Sequence, residues 1–416
     1  MIFLEDSMNQ LDLLKQYGQE HLLRYYNELS EAEKEDLAAQ IENIDFSLLD
    51  ALKEKDKNKV EEAAEGEIAP LGAVEIPEIA EKKEYFSKIG IKAIQEGKVA
   101  ALLLGGGMGT RLGFDGPKGT YNLGETRDFY IFQAQIQNML DVCMEAGCHF
   151  PLIIMTSDKN DEETRRFLKE HKYFGYPEEK IRFFRQDMAP SCDFNGKIYL
   201  EEKGKISLSP NGNGGWFLSL MKAGLDRELK EMGVEWINVF SMDNVLQRIC
   251  DPVFVGATLD AKVNCGAKVV SKAYPGEKVG VLCIKDNLPT IVEYYEMGDE
   301  LAAETDENGN LKYRFGVILN YLFKMDRMYE IVNGKMPLHI VEKKIPYIDE
   351  NGVPQKPEKE NGYKFEYLAT DTVRDMLTCL PFEVDREKEF APIKNKEGKD
   401  SVESARALLK KNGVII

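Results

Sequence analysis

The chain is poor in histidine, in paired cysteine motifs and in positive charge, and each shortage excludes a class of protein. Its four histidines (21, 149, 171, 339) are scattered and form no zinc-ligand spacing. Its seven cysteines (143, 148, 192, 250, 265, 283, 379) are odd in number and contain no C-x-x-C, so they read as reduced, mostly buried thiols. No apolar run approaches the roughly 18 residues of a membrane span, and no secretory leader pattern is present. The expectation is a soluble, cytoplasmic protein with no membrane partner. Lys and Arg total 54 against 72 Asp and Glu, a formal net charge of −18. So acidic a chain is a poor nucleic-acid binder, and an anionic substrate must be met by local cations against an unfavourable overall field.

What is present is a large apolar complement, 43% of 416 residues, enough for a sizeable core and two or three domains. Leu22, Leu23, Tyr26 and Leu29 recur at helical spacing within a helical region expected over residues 1 to about 55. Ser30-Glu-Ala-Glu33 is a capping box opening another helix through Leu37 and Ile41. Residues 53–80, charged and then carrying Pro70, Gly72 and Pro77, read as a surface crossing, and a further helix ends at Gly97. Buried strands are expected at Val99–Leu104, Leu152–Met155, Ile181–Phe184 and Trp236–Phe240, alternating with helices at Asp128–Gly147 and Asp161–Glu170. Each strand runs into a polar cluster, which puts those clusters at one rim of a mostly parallel sheet, where ligands of such sheets bind. From about residue 260 the pattern turns β-rich, with a helical stretch near Leu319–Met328, a hairpin over Ile340–Lys356 and a terminal helix at Ser401–Lys411.

The most informative stretch follows the first strand: Leu104-Gly-Gly-Gly-Met-Gly-Thr-Arg111-Leu-Gly-Phe-Asp-Gly-Pro-Lys118-Gly. Glycine backbones can approach a phosphate closely, and Arg111 and Lys118 supply fixed cations just beyond. It is not a P-loop, which needs G-x-x-x-x-G-K-[ST]. Nor is it a dinucleotide fingerprint, because the third glycine is missing and Pro117 interrupts any helix that would follow. Ser209-Pro-Asn-Gly-Asn-Gly-Gly215 is a second backbone-exposing loop. Asp243, at a strand end, reads either as a helix cap or as a Mg²⁺ ligand, and a facing phosphate loop favours the metal. The unaided reading is a nucleoside-triphosphate transferase that needs no nucleophilic side chain, since such transfer is catalysed mainly by positioning and charge.

The segment G-G-x-G-T-R-L-G-x-x-x-P-K-G resembles the signature of the eukaryotic-type UDP-sugar pyrophosphorylases, in particular the UDP-N-acetylhexosamine pyrophosphorylases. The resemblance extends over nearly the whole chain. It takes in Gln19–Leu29, Met155-Thr-Ser157, His171–Gly175, Phe183–Gln186, Gly212–Gly215, Asp243-Asn244, Cys265–Lys268, Val279-Gly280, Val292–Tyr294, Lys344–Tyr347 and Pro392–Asn395, in family order.

The resemblance implies an α/β fold of nucleotide-diphospho-sugar transferase type, a Rossmann-like (GT-A) mixed sheet flanked by helices. An N-terminal helical region (1–90), a catalytic domain (91–385) and a short C-terminal extension (386–416), truncated relative to the family, are the expected divisions. The implied reaction is UTP + sugar 1-phosphate giving UDP-sugar and pyrophosphate, with Mg²⁺, or Mn²⁺ in its place, as cofactor. By position, Leu104, Gly105, Gly106, Gly107, Gly109, Thr110, Gln186 and Gly212 would hold the nucleotide, and Arg111, Lys118 and Lys394 would carry the charge stabilisation. Asn213, Gly280, Glu293 and Tyr294 would hold the sugar, and Asp243 the metal. Three positions depart from the family pattern: Val317 stands where an Asn contacts the sugar, and Leu368 and Thr370 stand where two Phe wall the N-acetyl pocket. A glucose or galactose 1-phosphate is therefore the alternative substrate, and a non-catalytic UTP or UDP-sugar sensor the alternative of another class. The expected partners are UTP and a sugar 1-phosphate, and the expected state a monomer or homodimer.

Overall fold

The structure, a computed structural model, describes residues 11–58, 67–334 and 336–416. The helical reading of residues 1–10 and part of the charged crossing, 59–66, lie outside the described residues. Two compact units emerge. The larger takes Gly66–Gln186, Trp216–Lys335 and Thr370–Ile416, and the smaller takes Met1–Glu65, Asp187–Gly215 and Met336–Ala369.

A ten-stranded mixed sheet forms the larger unit: β1 (Ile68–Pro70), β2 (Val99–Leu104), β3 (Leu152–Thr156), β4 (Ile181–Arg185), β5 (Trp236–Ser241), β6 (Cys265–Ser271), β7 (Val281–Lys285), β8 (Leu288–Val292), β9 (Phe315–Lys324) and β10 (Cys379–Glu383). Its main path runs β1-β7-β9-β5-β2-β3-β4, with β6 joining β9 to β10 and β8 joining β7. The half β5-β2-β3-β4 is parallel, with Ser241 opposite Leu104, Leu104 opposite Met155 and Thr156 opposite Arg185, so all four C-terminal ends share one rim. The other half is built around β9, antiparallel to β5, β6 and β7. Val99 to Leu103 are buried on both faces, as the unbroken apolar run requires. Helices α1 (Ile76–Gln95), α2 (Ile131–Ala146), α3 (Asp161–Glu170), α4 (Pro252–Asp260) and α5 (Val402–Lys411) cover the sheet. α1 and α4 meet backbone to backbone: a Cβ at Gly90 would lie 1.9 Å from Pro252 O, and one at Gly256 1.8 Å from Phe86 O. α2 stops at Gly147, which takes φ +72°.

In the smaller unit the Ser30–Glu33 capping box is present and opens the helix Glu31–Asn43. Leu14, Leu22, Leu37, Ile41 and Phe46 pack there with Ile198, Leu200, Ile206 and Phe365. Gln19 pins the chain at 196–198, donating to Gly196 O at 2.8 Å and accepting from Ile198 N at 2.9 Å.

Several expectations are corrected. The compact units cut across the expected divisions at 90 and 385, since Leu14, Leu22, Leu37, Ile41 and Phe46 pack with side chains of 187–215 and 336–369. Residues 20–28 form 3₁₀ turns, Glu20–Leu23 and Tyr26–Glu28, rather than one α-helix. The crossing before α1 contributes an edge strand, β1, and Pro77 sits in the first turn of α1. The helix expected at Leu319–Met328 begins only at Met325. Phe315–Lys324 is a strand because β5 and β6 pair with it on both sides, which overrides local propensity. The long hairpin splits: Tyr347–Ile348 pairs Pro354–Gln355 around Gly352, while His339–Lys343 pairs Gly362–Glu366. The thiols stand as expected, all free, with only Cys148 and Cys379 partly exposed. No helix among the described residues is long and apolar enough to cross a membrane.

Candidate active site

The parallel register puts the end of β2 beside the ends of β3 and β5, and the loops leaving these strands form the site. Leu104 closes β2. Gly105 N–H donates to Met155 O at 2.8 Å, and Gly109 N–H donates to Gly116 O at 2.9 Å. A Cβ at Gly109 would fall 2.6 Å from the Phe114 ring, so this glycine makes room for that ring. The N–H groups of these two glycines are therefore taken up by the loop's own structure. Gly106 and Gly107 differ: among the described residues their N–H groups meet no protein acceptor.

Their carbonyls, by contrast, are held. Asn160, one residue before α3 and 1% exposed, donates Nδ2 to Gly105 O at 2.9 Å and to Gly107 O at 3.3 Å. Its Oδ1 accepts from Ser157 N at 2.8 Å, and Ser157 Oγ donates to Gly106 O at 2.9 Å. Ser157 lies in a segment the sequence reading singled out, but Asn160 was missed. Its only signal is an Asn at the N-terminal boundary of a helix, where it normally caps its own helix. Gln186, just past β4 and buried, brings its amide to the same place: a Cβ at Gly106 would be 3.3 Å from Gln186 Oε1. Asp161 anchors α3, accepting from Thr156 Oγ1 (2.6 Å), Arg165 Nε (2.8 Å) and Arg185 Nε (3.1 Å). Burial works to raise its carboxyl, but these donors outweigh it and hold it below the ordinary value.

The two loop cations are unlike. Lys118 is buried, 7% exposed, and its Nζ donates to Asp243 Oδ1 at 2.5 Å. Arg111 stands exposed in the 3₁₀ turn Thr110–Leu112, beside the exposed Thr110, with no carboxylate partner among the described residues. Asp243 sits in the turn after β5, which buried amides clamp. Gln135 of α2 donates to Met242 O (3.2 Å) and Asn244 O (2.8 Å), and Gln247 donates to Ser241 O (2.7 Å).

A strap over 389–395 runs along this turn. Ile393 N–H donates to Asp243 O at 3.0 Å, Ala391 N–H to Asn244 Oδ1 at 2.9 Å, and Asn244 Nδ2 to Glu389 O at 2.7 Å. Lys394 rides on this strap, half-exposed, 3.5 Å from Asp400. Beneath it, Lys268 of β6 is fully buried, with Nζ on Glu389 Oε2 (2.6 Å), Arg248 O (2.9 Å) and Asp251 Oδ2 (3.3 Å). Burial drives both carboxyls upward. Lys268 and Arg248 overcome it at Asp251, which is lowered, whereas Glu389 stays raised.

On the antiparallel half, Gly280, Glu293 and Val317 come together. Val317 N–H donates to Gly280 O at 2.9 Å, and a Cβ at Gly280 would be 3.2 Å from Glu293 Oε1. Burial, with Glu296 adding to it, raises the Glu293 carboxyl, and Lys394 offsets part of this. Tyr294 is 44% exposed. Leu319 adopts φ +52° next to the register shift between β6 and β9, a bulge that the sequence pattern did not signal. Thr370 is the second residue of the helix Ala369–Asp375, which Arg374 ties to the β7–β8 hairpin through Lys285 O at 3.3 Å and Thr290 Oγ1 at 3.0 Å.

Gly212, Asn213 and Leu368 belong to the smaller unit and meet there. Gly214 N–H donates to Tyr367 O at 2.8 Å, and Asn213 Oδ1 accepts from Ala369 N at 3.0 Å. Gly212, at φ +85°, has no space for a side chain, since its Cβ would lie 2.2 Å from Tyr367 O.

Residues 47–415 match the family described as UTP–glucose-1-phosphate uridylyltransferase. The chain belongs to this family. Among its curated relatives is mouse UDP-N-acetylhexosamine pyrophosphorylase-like protein 1, 36% identical over 93% of this chain and 80% of the relative. Another is the UDP-N-acetylglucosamine pyrophosphorylase of Saccharomyces cerevisiae, 33% identical over 95% and 88%. The solved uridine diphosphate N-acetylglucosamine pyrophosphorylase of Trypanosoma brucei superposes with a TM-score of 0.81 at 30% identity, covering 97% of this chain and 84% of that one. Membership makes this uridylyltransferase-family chain a nucleotidyltransferase of the α/β class that its sequence resembles.

Proposed function

We propose that the protein transfers the uridylyl group of UTP to a sugar 1-phosphate, N-acetylglucosamine 1-phosphate first among them, releasing pyrophosphate. The observation that carries this reading is the free N–H pair of Gly106 and Gly107, presented beside Lys118, Asp243 and Gln186. In the reaction a sugar-phosphate oxygen attacks the UTP α-phosphorus. The new P–O bond forms as the bond to the β-phosphate oxygen breaks, and pyrophosphate leaves. The Gly106 and Gly107 N–H groups would hold phosphate oxygens, and Gln186 would read a uracil edge. Lys118 and Arg111 would neutralise charge on the triphosphate, and Lys394 would meet the sugar phosphate. Fixed donors aimed at developing charge are the largest single contribution in such sites.

The protein groups fit a magnesium ion of limited kind. Asp243 offers one carboxylate whose Oδ2 is unpaired among the described residues, and no cluster of three His, Cys, Asp or Glu is present there. That suits Mg²⁺, or Mn²⁺, completing its shell with substrate phosphates and water, and supplying charge neutralisation when bound.

A second reading rests on Val317 and on the absence of aromatic side chains at Leu368 and Thr370: a plain hexose 1-phosphate as the preferred substrate. The test of both is pyrophosphate release with UTP and Mg²⁺ across N-acetylglucosamine, N-acetylgalactosamine, glucose and galactose 1-phosphates. Preference for an acetamido sugar supports the first reading, and preference for glucose or galactose supports the second. UTP binding without turnover on any of them would leave a sensor. The cytoplasm as compartment, the absence of nucleic-acid and membrane partners, and a monomer or homodimer belong to the same proposal.

A further inference from the structure

We infer that Asn160 is a positioning residue for UTP: it sets the direction of the Gly106 N–H group directly, and supports that of Gly107 through its bond to Ser157, without touching the nucleotide. The inference rests on the uridylyltransferase reading above. A peptide plane has its N–H and C=O on opposite sides, so fixing a carbonyl fixes the next residue's N–H. Asn160 Nδ2 holds Gly105 O, in the plane of Gly106 N–H, and also Gly107 O. Ser157 Oγ holds Gly106 O, in the plane of Gly107 N–H. Glycines have the widest conformational freedom of any residue, so three in succession need such an external hold to present donors in one direction. Asn160 is the residue that spans the loop, taking the carbonyls on either side of Gly106, and its own carbonyl oxygen is fixed by Ser157 N–H. It is 1% exposed, so its amide reads as built into the loop's support and not as a surface group.

A brace that preorganises ground-state binding acts on UTP affinity more than on turnover. The test compares wild type with Asn160→Asp, Asn160→Ala and Asn160→Ser. UTP dissociation constants come from calorimetry, KM for UTP and for sugar 1-phosphate and kcat from pyrophosphate release, and melting temperature is measured without UTP.

Asn160→Asp keeps the shape but sets a carboxylate against two carbonyls. It is expected to weaken UTP binding about ten- to a hundredfold, the range of one or two lost buried hydrogen bonds, with kcat at saturating UTP within a few-fold of wild type. Asn160→Ser, with one donor, is expected between wild type and Asn160→Ala. The serine and alanine variants carry the test if the aspartate variant does not fold.

Wild-type KM for UTP in folded Asn160→Ala overturns the inference. So does an equal loss in KM for both substrates and in kcat that tracks melting temperature, the mark of a merely structural role. A wild-type protein that binds no UTP overturns instead the reading of the whole site, and is recognised before any variant is compared.

Discussion

The two halves of the large sheet are built to different standards. In the parallel half, the loops after β2, β3 and β5 are locked by buried amides, with Asn160, Gln135 and Gln247 all holding backbone carbonyls. In the antiparallel half, Gly280, Val317 and Glu293 are joined by one backbone hydrogen bond and close packing, next to a strand that bulges at Leu319. The half expected to handle the triphosphate is rigidly specified. The half expected to meet the sugar carries Val317, one of the three positions expected to depart from the family's pattern. Transfer chemistry depends on fixed charge and donors, whereas the choice of sugar can change by substituting a few pocket side chains.

The largest expected effect tests what joins the halves. Lys268 on β6 holds Glu389 at the head of the strap that carries Lys394 past Asp243. Lys268→Ala leaves Glu389 buried without its cation and Asp251 with Arg248 alone, and is expected to lower stability by roughly 3–5 kcal/mol in denaturant unfolding. A change under about 1 kcal/mol, the scale of an exposed pair, would mean that the strap is held by its backbone bonds alone. Next, Lys118→Ala and Arg111→Ala are each expected to cut kcat by on the order of 10²–10³ in pyrophosphate release. Near-normal turnover in either would remove that cation from the chemistry. Because Lys118 alone is buried and paired to Asp243, only Lys118→Ala is expected also to lower the melting temperature.

A smaller effect sharpens the sugar side. Val317→Asn is expected to raise kcat/KM for N-acetylglucosamine 1-phosphate relative to glucose 1-phosphate by about fivefold to tenfold, one hydrogen bond's worth. An unchanged ratio would show that Val317 does not face the sugar. The smallest is a pH signature of opposite sign in the two halves. Asp161 is lowered from its ordinary 3.8, so its contribution is fully present above that value and fades as pH falls through the folded-state value. Glu293 is raised from 4.5, so the folded protein holds its proton longer and loses stability as pH rises from 4.5 through the folded-state value. Melting curves against pH should show Asp161→Asn flattening the acid limb and Glu293→Gln removing the loss above it. Identical acid limbs for Asp161→Asn and wild type would contradict the first assignment.

What was legible in the sequence follows the same line. The apolar runs at Val99–Leu104 and Trp236–Phe240 are long enough to mark buried strands unaided, and Ser30–Glu33 and Gly147 mark helix ends by their own chemistry. The signature around Arg111 and Lys118 located the loop, and Asp243 was legible as a strand-end carboxylate. The Lys118–Asp243 contact was not, since it spans 125 positions in the chain and depends on β2 and β5 being neighbours. Asn160 was missed because only the fold turns its amide back on the glycine loop. Gly105 and Gly109 looked like phosphate glycines, but their N–H groups are used by Met155 O and Gly116 O. The β9 strand was misread because its neighbours, not its own residues, decide its conformation.

The most direct test of the central claim is to follow ³¹P resonances while wild-type protein acts on UTP and N-acetylglucosamine 1-phosphate with Mg²⁺. Both substrates are expected to disappear together, with pyrophosphate and a UDP-sugar diphosphate appearing in equal amounts. UTP that persists, or that decays to UDP and phosphate with the sugar 1-phosphate untouched, would contradict the claim.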